Sequence, residues 1–206
     1  MRTAIVILAL ISLSSCNFLL MKLTGTKQPK QENYNSIYKY AASLGLDPTA
    51  VLFAKDSIAF AKIGLAFGGF QNILIFDRNN KFIPYRTDTS HCNASVDDLL
   101  EQVCKISELK IETELKICLD SLTNLLVDPN QGDSVKITPP YDYIILMDFA
   151  KYFDGVNKTH IGRWNSILKK NHQTCIVKTY FVNLDYLDSW NMKSEIPKMK
   201  LKPDRP

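Results

Sequence analysis

Thiols and imidazoles are the groups in this chain best suited to covalent or proton-transfer chemistry, and their spacing decides which kind is open to them. The five cysteines are Cys16, Cys92, Cys104, Cys118 and Cys175. No two of them are separated by only two residues, so the Cys-x-x-Cys spacing of redox and zinc sites is absent, and His91 beside Cys92 cannot build a site alone. Cys92, Cys104, Cys118 and Cys175 can form two bridges in three connectivities. The other reading leaves Cys104 and Cys118 as buried thiols that pack like small apolar side chains. Cys92 or Cys175, if exposed with a depressed pKa, could serve as an exchange nucleophile. His160 and Arg163 stand one near-turn apart on an expected helix, with Lys151 and Asp154 in the loop before it. That set reads as an anion or general-acid site at a helix start, or as the ordinary polar side of an amphipathic helix. His91 and His172 fall in expected loops and receive no role. The chain lacks a glycine-rich phosphate loop, a His-x-x-x-His metal pair and a Gly-x-Ser-x-Gly elbow, so neither a metal nor a cofactor is expected.

The elements that would position these residues follow from hydrophobic periodicity. Ser36 to Leu44 reads as a helix closed by Gly45, Ala50 to Ala54 as a strand, and Asp56-Ser57 as the cap of a helix reaching about Gly64, with a single helix from Pro48 to Gly64 as the competing reading. Asn72 to Phe76 and Phe82 to Arg86, joined by a polar turn, read as a hairpin. Ser95 to Val103 and Ile111 to Leu126 read as amphipathic helices, and 128–140 as a loop. Tyr143 to Phe149, Asn157 to Lys170 and Cys175 to Leu184 form strand, helix and strand, a βαβ unit whose two strands should be parallel neighbours.

Across 206 residues, 46% are hydrophobic and 22% charged, the profile of a folded domain. The net charge of +4 is dispersed along the chain, which argues against nucleic acid as a partner. The N-terminus is patterned differently. Arg2 precedes an apolar run from Thr3 to Ser12, and small residues then lead to Cys16. Leu13-Ser14-Ser15-Cys16 resembles the bacterial lipobox. That resemblance implies a signal peptide at 1–15 and a mature chain starting at Cys16 with diacylglycerol on its sulfur and an acyl chain on its amine. Two or three acyl chains make membrane attachment effectively permanent. An uncleaved spanning anchor, or cleavage after Ser14, is the alternative, and each of these readings places the body outside the cytoplasm. Residues 16–35 then read as a flexible tether, 36–190 as a single domain, and 191–206 as a frayed basic tail carrying Lys193, Lys198, Lys200, Lys202 and Arg205.

The segment from Asp142 to Asp185 resembles the central βαβ of thioredoxin-like proteins, in particular the extracytoplasmic lipoprotein branch. Phe149-Ala150-Lys151-Tyr152 stands at the end of the first strand, and Val182-Asn183-Leu184-Asp185 closes the second. The resemblance implies an α/β, thioredoxin-like fold with a central mixed sheet and flanking helices. In its register the two catalytic cysteines fall at Phe153 and Val156, which cannot form the thiolate that disulfide exchange requires. The implied protein is therefore a lipid-anchored module of a bacterial envelope that binds a protein partner, with Lys151, Tyr152, Phe153 and Asp154 as the exposed partner loop. An envelope oxidoreductase working through Cys92 or Cys175 is the alternative. Asp56-Ser57-Ile58, Asp120-Ser121-Leu122 and Asp133-Ser134-Val135 also resemble the O-glycosylation acceptor of Bacteroidetes-type bacteria, and Ser134 is the one expected in a loop.

Overall fold

The computed structural model describes residues 21–68, 72–85, 96–108, 116–130, 132, 135–171, 174–192 and 195–199. The expected signal peptide at 1–15, Cys16, His91, Cys92, Ser134, His172 and the end of the tail lie outside the described residues. The elements in chain order are β1 (Gln31–Glu32), α1 (Tyr34–Ser43), β2 (Val51–Ala54), α2 (Ser57–Phe67), β3 (Ile73–Asp77), β4 (Phe82–Ile83), α3 (Val96–Glu101), α4 (Leu119–Thr123), β5 (Leu126–Val127), β6 (Tyr143–Phe149), α5 (Asp154–Thr159), α6 (Ile161–Asn171), β7 (Val177–Asn183) and β8 (Tyr186–Leu187).

Six strands form one mixed sheet in the order β4-β3-β6-β7-β2-β5, and β1 pairs in parallel with β8 beside it. β6, β7 and β2 run parallel, while β4, β3 and β5 are joined antiparallel. Every residue of β6 is buried, which is why its sequence is apolar with almost no alternation. Its side chains still go to opposite sides. Tyr143, Ile145, Met147 and Phe149 join Ile37, Val96, Leu100, Ile161, Trp164 and Leu168 in one core under α1, α3 and α6. Ile144 and Leu146 join Ala59, Ile63, Phe67, Leu119 and Leu122 in a second core under α2 and α4. The architecture is thus a three-layer α/β fold with a mixed sheet in the middle.

Local signals set several boundaries. Asn33 caps α1 by accepting from the Ser36 amide at 2.9 Å, and Asp56 caps α2 by accepting from the Ala59 amide at 2.7 Å. Asp56 is therefore committed to a helix end. Between α5 and α6 the expected single helix bends at His160. The Thr159 hydroxyl donates to the Gly155 carbonyl at 3.0 Å, a back-bond to the preceding turn that bends helices.

Three expectations need correction. The helix read over Ile111 to Leu126 is, in its described part, the short α4 followed by β5, which pairs with β2. The flexible tether read over 16–35 does not describe Met21 to Glu32. Met21 is buried, Thr26 is buried, and Gln31–Glu32 pair with Tyr186–Leu187. The frayed tail read over 191–206 is tied down at Met199, whose amide donates to the Gln28 side chain at 2.9 Å and whose carbonyl accepts from it at 3.0 Å.

Candidate functional site

The carboxyl ends of β6, β7 and β2 meet at one edge of the sheet, where Phe149, Asn183 and Phe53 are register partners. Ligands of open α/β sheets bind outside such ends, so this edge is the place to look for chemistry. From it the chain passes through Ala150 and the turn Lys151–Phe153 into α5. The mouth of α5 is held by the end of β7. The Leu184 amide donates to the Phe149 carbonyl at 2.8 Å, and the Tyr152 hydroxyl donates to the Leu184 carbonyl at 3.1 Å. The Lys151 amide donates to both oxygens of Asp185, at 3.0 and 2.9 Å, and Asn183 Nδ2 donates to Asp185 Oδ2 at 2.8 Å. Asp185 is only 1% exposed. Burial, reinforced by the charge of Glu32, pushes its carboxyl up to about 6 despite these donors.

A second polar layer lies over the first. Lys151 Nζ reaches Glu32 Oε2 at 2.6 Å and Ser36 Oγ at 3.2 Å, and the Ser36 hydroxyl donates to Glu32 at 2.6 Å. Burial alone would raise the Glu32 carboxyl, but the hydrogen bonds from Lys151 and Ser36 hold it below its ordinary value. On the other side Asn157, fully buried, donates to the Ala150 carbonyl at 2.6 Å and to the Tyr40 hydroxyl at 3.0 Å. The Tyr40 hydroxyl in turn donates to Asp154 at 3.1 Å. Burial raises the Tyr40 phenol, and the same effect would raise Asp154 were it not for the hydrogen bonds of Lys158 and Tyr40, which bring it below its usual range. Asn157 Oδ1 is buried without a hydrogen-bond partner.

The N-terminal segment closes this edge. Gly155 donates its amide to the Gly25 carbonyl at 3.2 Å, and Lys27 donates its amide to the Tyr152 carbonyl at 2.7 Å. The two glycines meet face to face. A Cβ on Gly155 would lie 2.4 Å from the Thr24 carbonyl oxygen and 2.9 Å from Gly25 Cα, and Gly25 itself has φ of +63°. Only glycine at both positions lets the backbones approach this closely. Met21 to Glu32 is thus a strap laid over the α5 mouth.

The strap changes the reading of the loop predicted to be an exposed partner patch. Tyr152 is buried, Lys151 is engaged by Glu32, Asp154 is bonded to Tyr40 and Lys158, and Phe153 is half-buried with its ring 4.8 Å from that of Tyr152. The loop is an internal joint under the strap. His160 and Arg163 do not converge with Lys151 and Asp154 either. Arg163 pairs with Asp97 at 2.7 Å, and the His160 ring packs 5.6 Å from Trp164. Asp97 also accepts from the Trp164 indole at 2.9 Å, so this cluster fastens α3 to α6.

Cys104 and Cys175 form a disulfide with Cα atoms 5.6 Å apart. Cys175 precedes β7, so the bridge lies about 26 Å along the strand from Asn183 at about 3.3 Å per residue. Neither sulfur of this bridge is a standing thiolate. Cys118, read as a buried thiol or a bridge partner, is instead free and exposed. Hydrogen bonds from the backbone and hydroxyl of Ser121 hold its thiol below the usual value. A cis peptide joins Pro139 to Pro140 in the segment leading into β6, at the edge away from α5. Among the described residues no group of three His, Cys, Asp or Glu side chains could hold a metal ion, and no helix is long and apolar enough to cross a membrane.

The residues that build the site and carry no role in the sequence reading are Glu32, Tyr40, Asn157 and Asp185. The available signal was the polar pair Asn183 and Asp185 closing a strand of buried type. Chemically the arrangement is a dense polar network around one carboxyl of raised pKa, in which Asn157 Oδ1 alone among these named groups is left without a partner and no nucleophile among the described residues stands beside the carboxyl. A comparison of the chain with protein-family models, with curated proteins and with solved structures finds no match.

Proposed function

We propose that this chain is an extracytoplasmic lipoprotein, anchored through Cys16, whose thioredoxin-like domain has no thiol catalysis and works as a binding or scaffold module of the cell envelope. The observation that carries the reading is the composition of the α5 mouth. Phe153 and Val156 stand at the positions that the thioredoxin resemblance assigns to the two cysteines, and the Cys104–Cys175 sulfurs lie at the other end of β7. The parallel β6–β7 pair with α5 and α6 between its strands is consistent with that fold. The bridge also fits an oxidising compartment, in keeping with export. Lys151, Tyr152 and Asp154 at the mouth are engaged by Asp185, Glu32, Leu184, Tyr40 and Lys158, and Asn157 Oδ1, though unpartnered, is buried, so the partner surface lies elsewhere on the domain.

Insulin reduction and thiol oxidation by the purified protein test this reading. Turnover at the level of uncatalysed controls is expected. Robust turnover abolished by Cys175→Ser would defeat the proposal in favour of an envelope oxidoreductase, and turnover abolished by replacing Cys92 would do the same.

A further inference from the structure

We propose that the sheet edge at the α5 mouth, with the strap across it, lies flat against the bilayer that holds Cys16. This rests on the anchoring reading and adds an orientation to it. Only Asn17, Phe18, Leu19 and Leu20 separate the anchor from Met21, which is buried and whose carbonyl accepts from the Thr26 amide at 2.8 Å within the docked strap. Five residue steps span at most about 18 Å when fully extended. The α5 mouth therefore cannot rise further than that from the lipid surface while the strap is docked.

The chemistry of the edge matches that neighbour. Leu23 on the strap is 76% exposed and Ile58, at the start of α2, is 67% exposed. α2 begins just beyond the carboxyl end of β2, so Ile58 stands on the same edge as the strap. Lys22, Lys27 and Lys30 are exposed along the strap, and Lys198 adjoins it where Gln28 holds Met199. The single strap carboxylate, Glu32, is turned inward at 7% exposure. Lys27 and Lys30 make only long pairs at 3.6 and 3.5 Å, to Asp154 and Glu32, and keep side-chain exposures of 70% and 77%. Exposed apolar side chains among lysines suit the headgroup region of an anionic bilayer. The opposite edge carries the β3–β4 turn with Asp77, Arg78 and Lys81, and Asp142 paired with Arg78 at 3.2 Å; its exposed apolar residue, Ile176, is bonded to the carboxylate of Asp142 through its amide and has both charges beside it.

The test uses the native acylated protein, isotope-labelled and placed in nanodiscs of phosphatidylethanolamine and phosphatidylglycerol. Each amide signal is compared with and without a gadolinium chelate on the lipid headgroups. Intact mass first establishes the acyl chains on Cys16. The amides of Lys22 to Lys30 and of Ile58 should lose intensity several-fold more than those of Arg78, Lys81 and Lys169. An acylated protein with uniform loss, or with loss concentrated at Arg78 and Lys81, overturns the docking and leaves the anchoring intact. A mature chain without acyl groups on Cys16 overturns the anchoring and the docking with it.

Discussion

Replacing Gly155 by Ala should lift the strap and leave the domain folded. Gly155 is in α5, where an isolated Gly→Ala change favours the helix by about 0.5–1 kcal/mol. Here the added Cβ would sit 2.4 Å from a backbone oxygen and 2.9 Å from a backbone carbon, neither of which can rotate aside. Relief requires moving residues 24 and 25. That movement breaks the Gly155–Gly25 and Lys27–Tyr152 hydrogen bonds, each worth about 1 kcal/mol net. The Lys27–Asp154 pair is too exposed to count. After the helix gain, the expected net loss is about 1 kcal/mol in urea unfolding. The accompanying signature is rapid amide exchange at Lys27 while the β6 and β7 amides stay protected. A second chain, with Met21 to Gln28 replaced by Gly/Ser of equal length, supplies the decisive comparison. There Gly155→Ala should be neutral or stabilising. An equal penalty in both backgrounds, or a Lys27 amide that stays protected in Gly155→Ala, would refute the account of the strap.

Other consequences can be checked separately. Removing the Cys104–Cys175 bridge with a pair of serines should cost about 4 kcal/mol, from the loop of 71 residues it closes, and alkylation of both sulfurs in the unfolded chain without prior reduction would mean that they are not joined. Asp185 has a raised pKa, so its protonated form is bound more strongly by the folded state. Its contribution is complete below the unfolded value near 3.8 and is lost as pH rises through about 6, a swing of roughly 3 kcal/mol at 1.36 kcal/mol per unit. The stability of the native chain relative to Asp185→Asn should therefore decline between those two pH values, and a flat difference contradicts the burial argument. Cys118 should be alkylated in the native state faster than an ordinary exposed thiol at neutral pH, and Ser121→Ala should slow it, as followed by mass spectrometry across pH.

Periodicity was a good guide where a segment is long and buried and a poor one where distant backbones decide. β6 matches its expected span, Tyr143 to Phe149, because seven consecutive buried positions leave no competing pattern. α1, α2 and the β3–β4 hairpin were legible from caps and turn residues, which act within a few positions. β5 was not. Two residues are too few to carry a period, and Leu126 reads as the end of a helix until β2 is there to pair with it and Val127. The strap was illegible for a stronger reason. Its polar, aperiodic sequence is what a linker looks like, and the contact that fixes it joins Gly25 to Gly155 across most of the chain. The same separation hid the site. Lys151 and Asp154 look available in a loop, but Glu32 and Tyr40, which engage them, come from β1 and α1. Asp185 was visible as the end of a motif, and only the fold shows that it is sealed.

The parallel pairing of β1 with β8 has a mechanical consequence. A pull on the N-terminus loads the two-residue β1–β8 pair and the few strap bonds before it reaches the seven-residue β6–β7 ladder. The strap is therefore the element that yields first under tension. Its release pays out the twelve residues from Met21 to Glu32, about 40 Å of contour, with both hydrophobic layers and the Cys104–Cys175 bridge still in place. The molecule carries its own slack, folded away against the domain until force draws it out.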